Sequence, residues 1–120
     1  MNTTFYEKLF AGKVEWALHT TYTCNMDYIA ELVKAQYANE MQKTDRLDLT
    51  KTAVFYHQSE TVALQCRGAN TKVCLHQIAQ ILYPLQSKQQ THHAKISLVQ
   101  YTQNSTIGYR LAVYSKNLEF

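Results

Sequence analysis

Residues 13–42 read KVEWALHTTYTCNMDYIAELVKAQYANEMQ, and the fold turns on how this stretch divides. Val14, Trp16, Leu18, Thr20 and Tyr22 alternate with Lys13, Glu15, Ala17, His19 and Thr21. That strict period of two, rich in Thr and aromatics, predicts a strand. Asn25 then suits a helix N-cap and Asp27 favours a helix N-terminus, where a carboxylate meets the positive end of the dipole. Met26, Ile29, Ala30, Val33, Tyr37 and Met41 fall on one stripe at helical spacing, so a helix is expected over 26–42.

Working outward, residues 3–11 suggest a short helix capped by Thr3 or Thr4 and stopped by Gly12. Downstream of the polar residues 44–51, two alternating runs at 52–58 and 61–67 read as a hairpin reversing through Ser59 and Glu60. Cys74, Ile78, Ile81, Leu82 and Leu85 recur at helical spacing, which predicts a second helix from Asn70 or Thr71 that ends or kinks at Pro84. A last hairpin is expected from strands at 94–102 and 106–115, turning through Gln103, Asn104 and Ser105.

The resulting order is (α)βαββαββ, with residues 26–67 and 71–115 as a pseudo-repeat of α-β-β units. Its first six elements after the leading helix have the order of a ferredoxin-like sandwich, two helices on one face of an antiparallel sheet. The chain has 120 residues, one proline and three glycines. It therefore reads as a single compact α+β domain over 1–120, undivided by any flexible linker.

Composition is globular, with 46% apolar and 18% charged residues. Phe5-Tyr6-Glu7-Lys8-Leu9 is amphipathic and charged, unlike a secretory h-region, and no apolar run approaches the length of a membrane span. A soluble cytoplasmic protein is expected, in which the Asn2 and Asn104 sequons carry no meaning. Cys24, Cys66 and Cys74 show no CxxC spacing and read as free thiols.

Few motifs carry chemistry. Arg67, Gly68, Asn70, Thr71 and Lys72 join a strand end to a helix start, where exposed N–H groups can hold an anion, but the segment lacks the Walker pattern. The histidines (His19, His57, His76, His92, His93) show no ligand spacing, so neither a metal nor any other cofactor is implied. Cys24 stands near a helix N-terminus, a place that lowers a thiol pKa, yet no base or orienting group is shown to meet it.

Tyrosine stands out, with nine in the chain. If Leu111, Val113, Ile96 and Leu98 face the helices, then Lys95, Tyr101, Arg110 and Tyr114 face away. With Tyr56 they would form an open sheet face suited to gripping a protein. The class expected is a small non-catalytic binding protein, an adaptor or inhibitor such as phages and mobile elements encode. It would contact a protein partner through that face and the last hairpin. A nucleic-acid binder using the same face is the alternative, supported by a net charge of +3. A small enzyme or ligand carrier involving Cys24, His57 or Cys74 is the second alternative. Ile107, Tyr109, Leu111 and Val113 alternate along the last strand. As an edge, that strand must be covered or paired, which suggests a homodimer.

Overall fold

A computed structural model describes residues 3–23, 25–38, 49–57, 78, 80–85 and 95–119. Helix α1 (Thr3–Leu9) leads into strand β1 (Lys13–Thr21). Gly12 between them has φ +80, and a Cβ there would stand 2.9 Å from the Thr102 carbonyl oxygen, so only glycine makes this join without strain. Helix α2 (Met26–Gln36) is capped by Asn25, whose Oδ1 accepts the Tyr28 N–H at 3.0 Å. Its stripe of Ile29, Ala30, Leu32 and Val33 is wholly buried. The helix expected to 42 closes at Tyr37, whose φ of −113 leaves the helical region; residues 39–42 lie outside the described residues.

Strands β2 (Thr52–His57), β3 (Leu82–Leu85), β4 (Ile96–Gln103) and β5 (Thr106–Val113) complete a five-stranded sheet of order β3-β2-β1-β4-β5. The pairs β1–β2 and β2–β3 are parallel, whereas β1–β4 and β4–β5 are antiparallel. The α+β class is therefore right, but the sheet is mixed, and the antiparallel, ferredoxin-like expectation needs correcting. Parallel neighbours require a crossover, which α2 supplies between β1 and β2. The expected hairpin of 52–58 with 61–67 meets the same correction on its described half: β2 has β1 on one side and β3 on the other. Residues 61–67 lie outside the described residues.

The apolar run assigned to the end of a second helix is also different. Ile78 is helical, but Leu82–Leu85 is β3, held through the Val54 N–H donating to the Ile81 carbonyl at 2.9 Å. A short apolar run suits either state, and Tyr83 is biased toward extended backbone because it precedes Pro84. Pro84 is tolerated because β3 is an edge strand.

The last hairpin forms, with a tighter turn than the three residues expected, because Gln103 is the end of β4 and pairs with Thr106. Asn104 (φ 52) and Ser105 (φ 63) make a two-residue turn with both central residues left-handed, the I′ geometry that matches strand twist. One residue disturbs the regular alternation of β1. The register against β4 shifts between Val14 and Trp16, leaving Glu15 as an extra bulged residue. Val14 is buried before the bulge and Ala17, His19 and Thr21 after it, so Trp16, Leu18 and Thr20 stand on the opposite face.

Both helices cover the Ala17/His19/Thr21 face. Tyr6 of α1 meets Tyr28 of α2 hydroxyl to hydroxyl at 2.9 Å, the Phe10 ring stands edge-on to His19, and Gln36 of α2 reaches both His19 and Thr52. The core between sheet and helices includes Val54, Ile78, Val99 and Leu118, each almost fully enclosed. The C-terminal residues close the end of β1: Asn25 N–H donates to the Leu118 carbonyl, and Leu118 N–H to Thr21 Oγ1.

Candidate functional site

The helix-covered face is unusually polar. Tyr114 donates its hydroxyl proton to Ser97 Oγ at 2.8 Å, and Ser97 Oγ in turn bonds His19 Nδ1. His19 Nε2 lies 3.2 Å from Gln36 Oε1, and Gln36 Nε2 donates to Thr52 Oγ1 at 2.6 Å. The amide oxygen only accepts, so the His19 proton sits on Nε2 and Nδ1 accepts from Ser97. Tyr37 joins at Thr52, Tyr6 joins at Tyr114, and Tyr28 is linked through Tyr6. One directed chain of side-chain hydrogen bonds thus runs beneath both helices.

Burial lowers the His19 pKa to about 4, against a smaller opposing pull from Gln36, so the imidazole is neutral at physiological pH. Tyr6 and Tyr114 are both raised, chiefly by burial, and keep their protons. A serine bonded to a histidine resembles a nucleophile and its base. Here both are fully enclosed, and the third position holds an amide instead of a carboxylate. The chain of bonds is read as structural: it satisfies the polar groups that the buried face carries.

The opposite face has the inverse character. On it stand Trp16, Leu18, Phe55, Ile96 and Leu98, with Tyr83 from β3 and the row Ile107, Tyr109, Leu111 and Val113 from β5. Trp16 packs against Tyr109 with ring centroids 6.3 Å apart, and Phe55 stacks on Tyr83 at 5.4 Å. The β5 row is open: Ile107 is 63% exposed, Tyr109 62%, Leu111 65% and Val113 76%. Across β4 and β5 this face presents Ile96, Leu98, Gln100 and Thr102 beside the β5 row, with no charged side chain.

The residues expected to grip a partner are placed elsewhere. Tyr101, Arg110 and Tyr114 turn toward the helices instead of away from them. The Arg110 guanidinium lies 3.6 Å above the Tyr101 ring, and its Nη1 donates to the Leu9 and Ala11 carbonyls at 3.1 and 2.7 Å, closing the C-terminal end of α1. Tyr114 belongs to the buried chain of bonds and packs edge-on against Phe5. Tyr56 packs half-buried against the core, and the Lys95 carbonyl accepts the Tyr114 N–H at 2.7 Å, extending the β4–β5 ladder.

The physical reason is parity. Val99 and Ser97 are buried, the Asn104-Ser105 turn pairs Gln103 with Thr106, and every even-numbered residue of β5 then shares their side. Sequence reasoning singled out the β5 row as an edge but turned it the wrong way. Gly108 and Ala112, small residues flanking Arg110, were the available signal for the crowded side.

Of the remaining candidates, Arg67, Gly68, Asn70, Thr71 and Lys72 lie outside the described residues, as do Cys24, Cys66, Cys74, His76, His92 and His93. His57 stacks on Tyr22 at 5.1 Å, on the face away from the helices. Among the described residues no three His, Cys, Asp or Glu side chains gather as metal ligands, and no helix is long and apolar enough to cross a membrane. Compared with protein-family models, curated proteins and solved structures, the chain matches none of them.

Proposed function

We propose that this protein is a small binding protein that works by stoichiometric contact with a protein partner, as an adaptor or inhibitor, through the outer face of its sheet at the last hairpin. One observation carries the reading: the outer face leaves an unbroken apolar row of β5, Ile107, Tyr109, Leu111 and Val113, open to solvent. The helices cover Ala17, His19, Thr21, Ser97 and Arg110, while Trp16, Leu18, Leu98 and the β5 row face outward. Ordinary sheets place their polar side outward, and contiguous exposed apolar patches mark interaction sites. Tyr109 beside Trp16 supplies the aromatic content that anchors protein interfaces.

The uncharged β4–β5 surface separates this reading from nucleic-acid binding, which needs cations at phosphate spacing. Fluorescence-anisotropy titration with short DNA and RNA at low and physiological salt should show no binding. Tight binding that weakens steeply with salt would overturn the proposal. Chemical cross-linking in the native host, followed by mass spectrometry, should place partner peptides against β4 and β5, and Leu111→Lys should remove them.

A further inference from the structure

The two edges of the sheet are protected unequally. Pro84 interrupts the β3 edge, removing a donor that an added strand would need. Strand β5 runs eight residues without proline, and its pairing with β4 has no register shift. Its one charged residue, Arg110, would guard an outward position but is turned under the sheet onto Tyr101 and the end of α1. The hydrogen-bond parity sharpens this. Tyr114 N–H bonds the Lys95 carbonyl, so in the same register Thr106, Gly108, Arg110 and Ala112 direct their backbone groups to β4. Ile107, Tyr109, Leu111 and Val113 direct theirs outward. The four residues with apolar side chains in solvent are also the four whose N–H and C=O groups line the edge.

We infer that the occupant of this edge is a second copy of the chain, its β5 pairing antiparallel with β5 of the first to make one continuous ten-stranded sheet. The inference deepens the binding reading above and rests on it, naming a partner for the same strand. A twofold pair matches the row to itself: Tyr109 opposes Leu111 of the other copy and Ile107 opposes Val113, so every outward N–H and C=O of β5 finds a partner. Across the twofold the exposed rows meet flank to flank, each side chain covering the side of its opposite number while its outer surface stays open. The join also doubles the apolar outer face available to another protein.

Sedimentation of the full chain from low micromolar to hundreds of micromolar should show the mass rising from 13.9 kDa to twice that value. Over the same range, amide exchange at Ile107, Tyr109, Leu111 and Val113 should slow at least tenfold, while Gly108, Arg110 and Ala112 stay protected throughout. Leu111→Lys should sediment as a monomer with an unchanged circular-dichroism spectrum, and Tyr83→Lys on the other edge should still dimerise. A chain monomeric at hundreds of micromolar, or a dimer whose odd-numbered β5 amides exchange freely, overturns the inference. If the monomer still cross-links to another protein through β4 and β5, the broader binding reading survives. A dimer dissolved by Leu111→Lys whose outer face cross-links to nothing supports the dimer and overturns that reading.

Discussion

His19 couples the interior to pH. Its imidazole is wholly enclosed and held neutral, with a pKa near 4 in place of the usual 6.5. Because the folded value lies below the unfolded one, the unfolded chain binds the proton first as pH falls. The stability contributed by the neutral ring is complete above pH 6.5 and is lost progressively down to about pH 4. Each unit of separation is worth about 1.4 kcal/mol, so the full loss is on the order of 3 kcal/mol. Thermal melts between pH 7.5 and 4.5 should record it, and His19→Gln should flatten the profile while lowering the melt at neutral pH. Arg110 is the second residue whose role is internal. Arg110→Ala removes two charge-assisted bonds to the Leu9 and Ala11 carbonyls and the stack on Tyr101, and should cost about 2 kcal/mol in urea unfolding. A wild-type-like midpoint would mean that the guanidinium is dispensable to the fold and is not the cap the geometry suggests.

At the level of elements, the last hairpin is the best-specified part of the chain. Ser105 holds φ 63 without the freedom of glycine, so Ser105→Gly should stabilise by about 0.5–1 kcal/mol and raise the melting temperature by a few degrees. Gly108 is the reverse case. A Cβ there would come within 2.5 Å of the Tyr101 ring, so Gly108→Ala must displace that ring and its Arg110 stack, at about 1–3 kcal/mol. A Gly108→Ala/Tyr101→Ala double-mutant cycle should show most of that cost relieved; additive effects would contradict the packing. These details explain what the sequence made legible. Local chemistry marked α1, the Asn25 cap, β1 and the hairpin turn, because caps, glycine stops and short periods act over a few residues. Strand direction was not legible, since β1–β2 pairing depends on what lies between the strands. The side of the sheet was misread for a related reason. A single bulged residue at Glu15 inverts β1, and Ser97 is drawn inward by His19, a contact across 78 residues that no local pattern records. Leu82–Leu85 is ambiguous for the same reason: its apolar spacing fits the end of a helix that stops or kinks at Pro84, while a residue before proline is biased toward extended backbone.

Across the whole molecule, the groups that hold the fold and the proposed contact surface lie on opposite faces of the sheet. The inner face spends its polar groups on one another and on the helix ends, so Tyr101, Arg110 and Tyr114 hold the fold together. The outer β5 row contributes little to the fold, because side chains about two-thirds exposed change their solvation only slightly on folding. Paired substitutions separate the roles. Tyr109→Lys and Leu111→Lys should leave the urea midpoint within about 0.5 kcal/mol of wild type, the usual range for surface changes, yet abolish association. Tyr114→Phe removes the donor to Ser97, leaves the outer face intact, and should destabilise by about 1–2 kcal/mol without weakening association at temperatures where the variant is folded. Urea unfolding and sedimentation on the same preparations decide the matter. If Tyr109→Lys unfolds early, the outer row is part of the core and has no surface to offer. If Tyr114→Phe loses association while still folded, the contact surface lies on the helix side of the sheet.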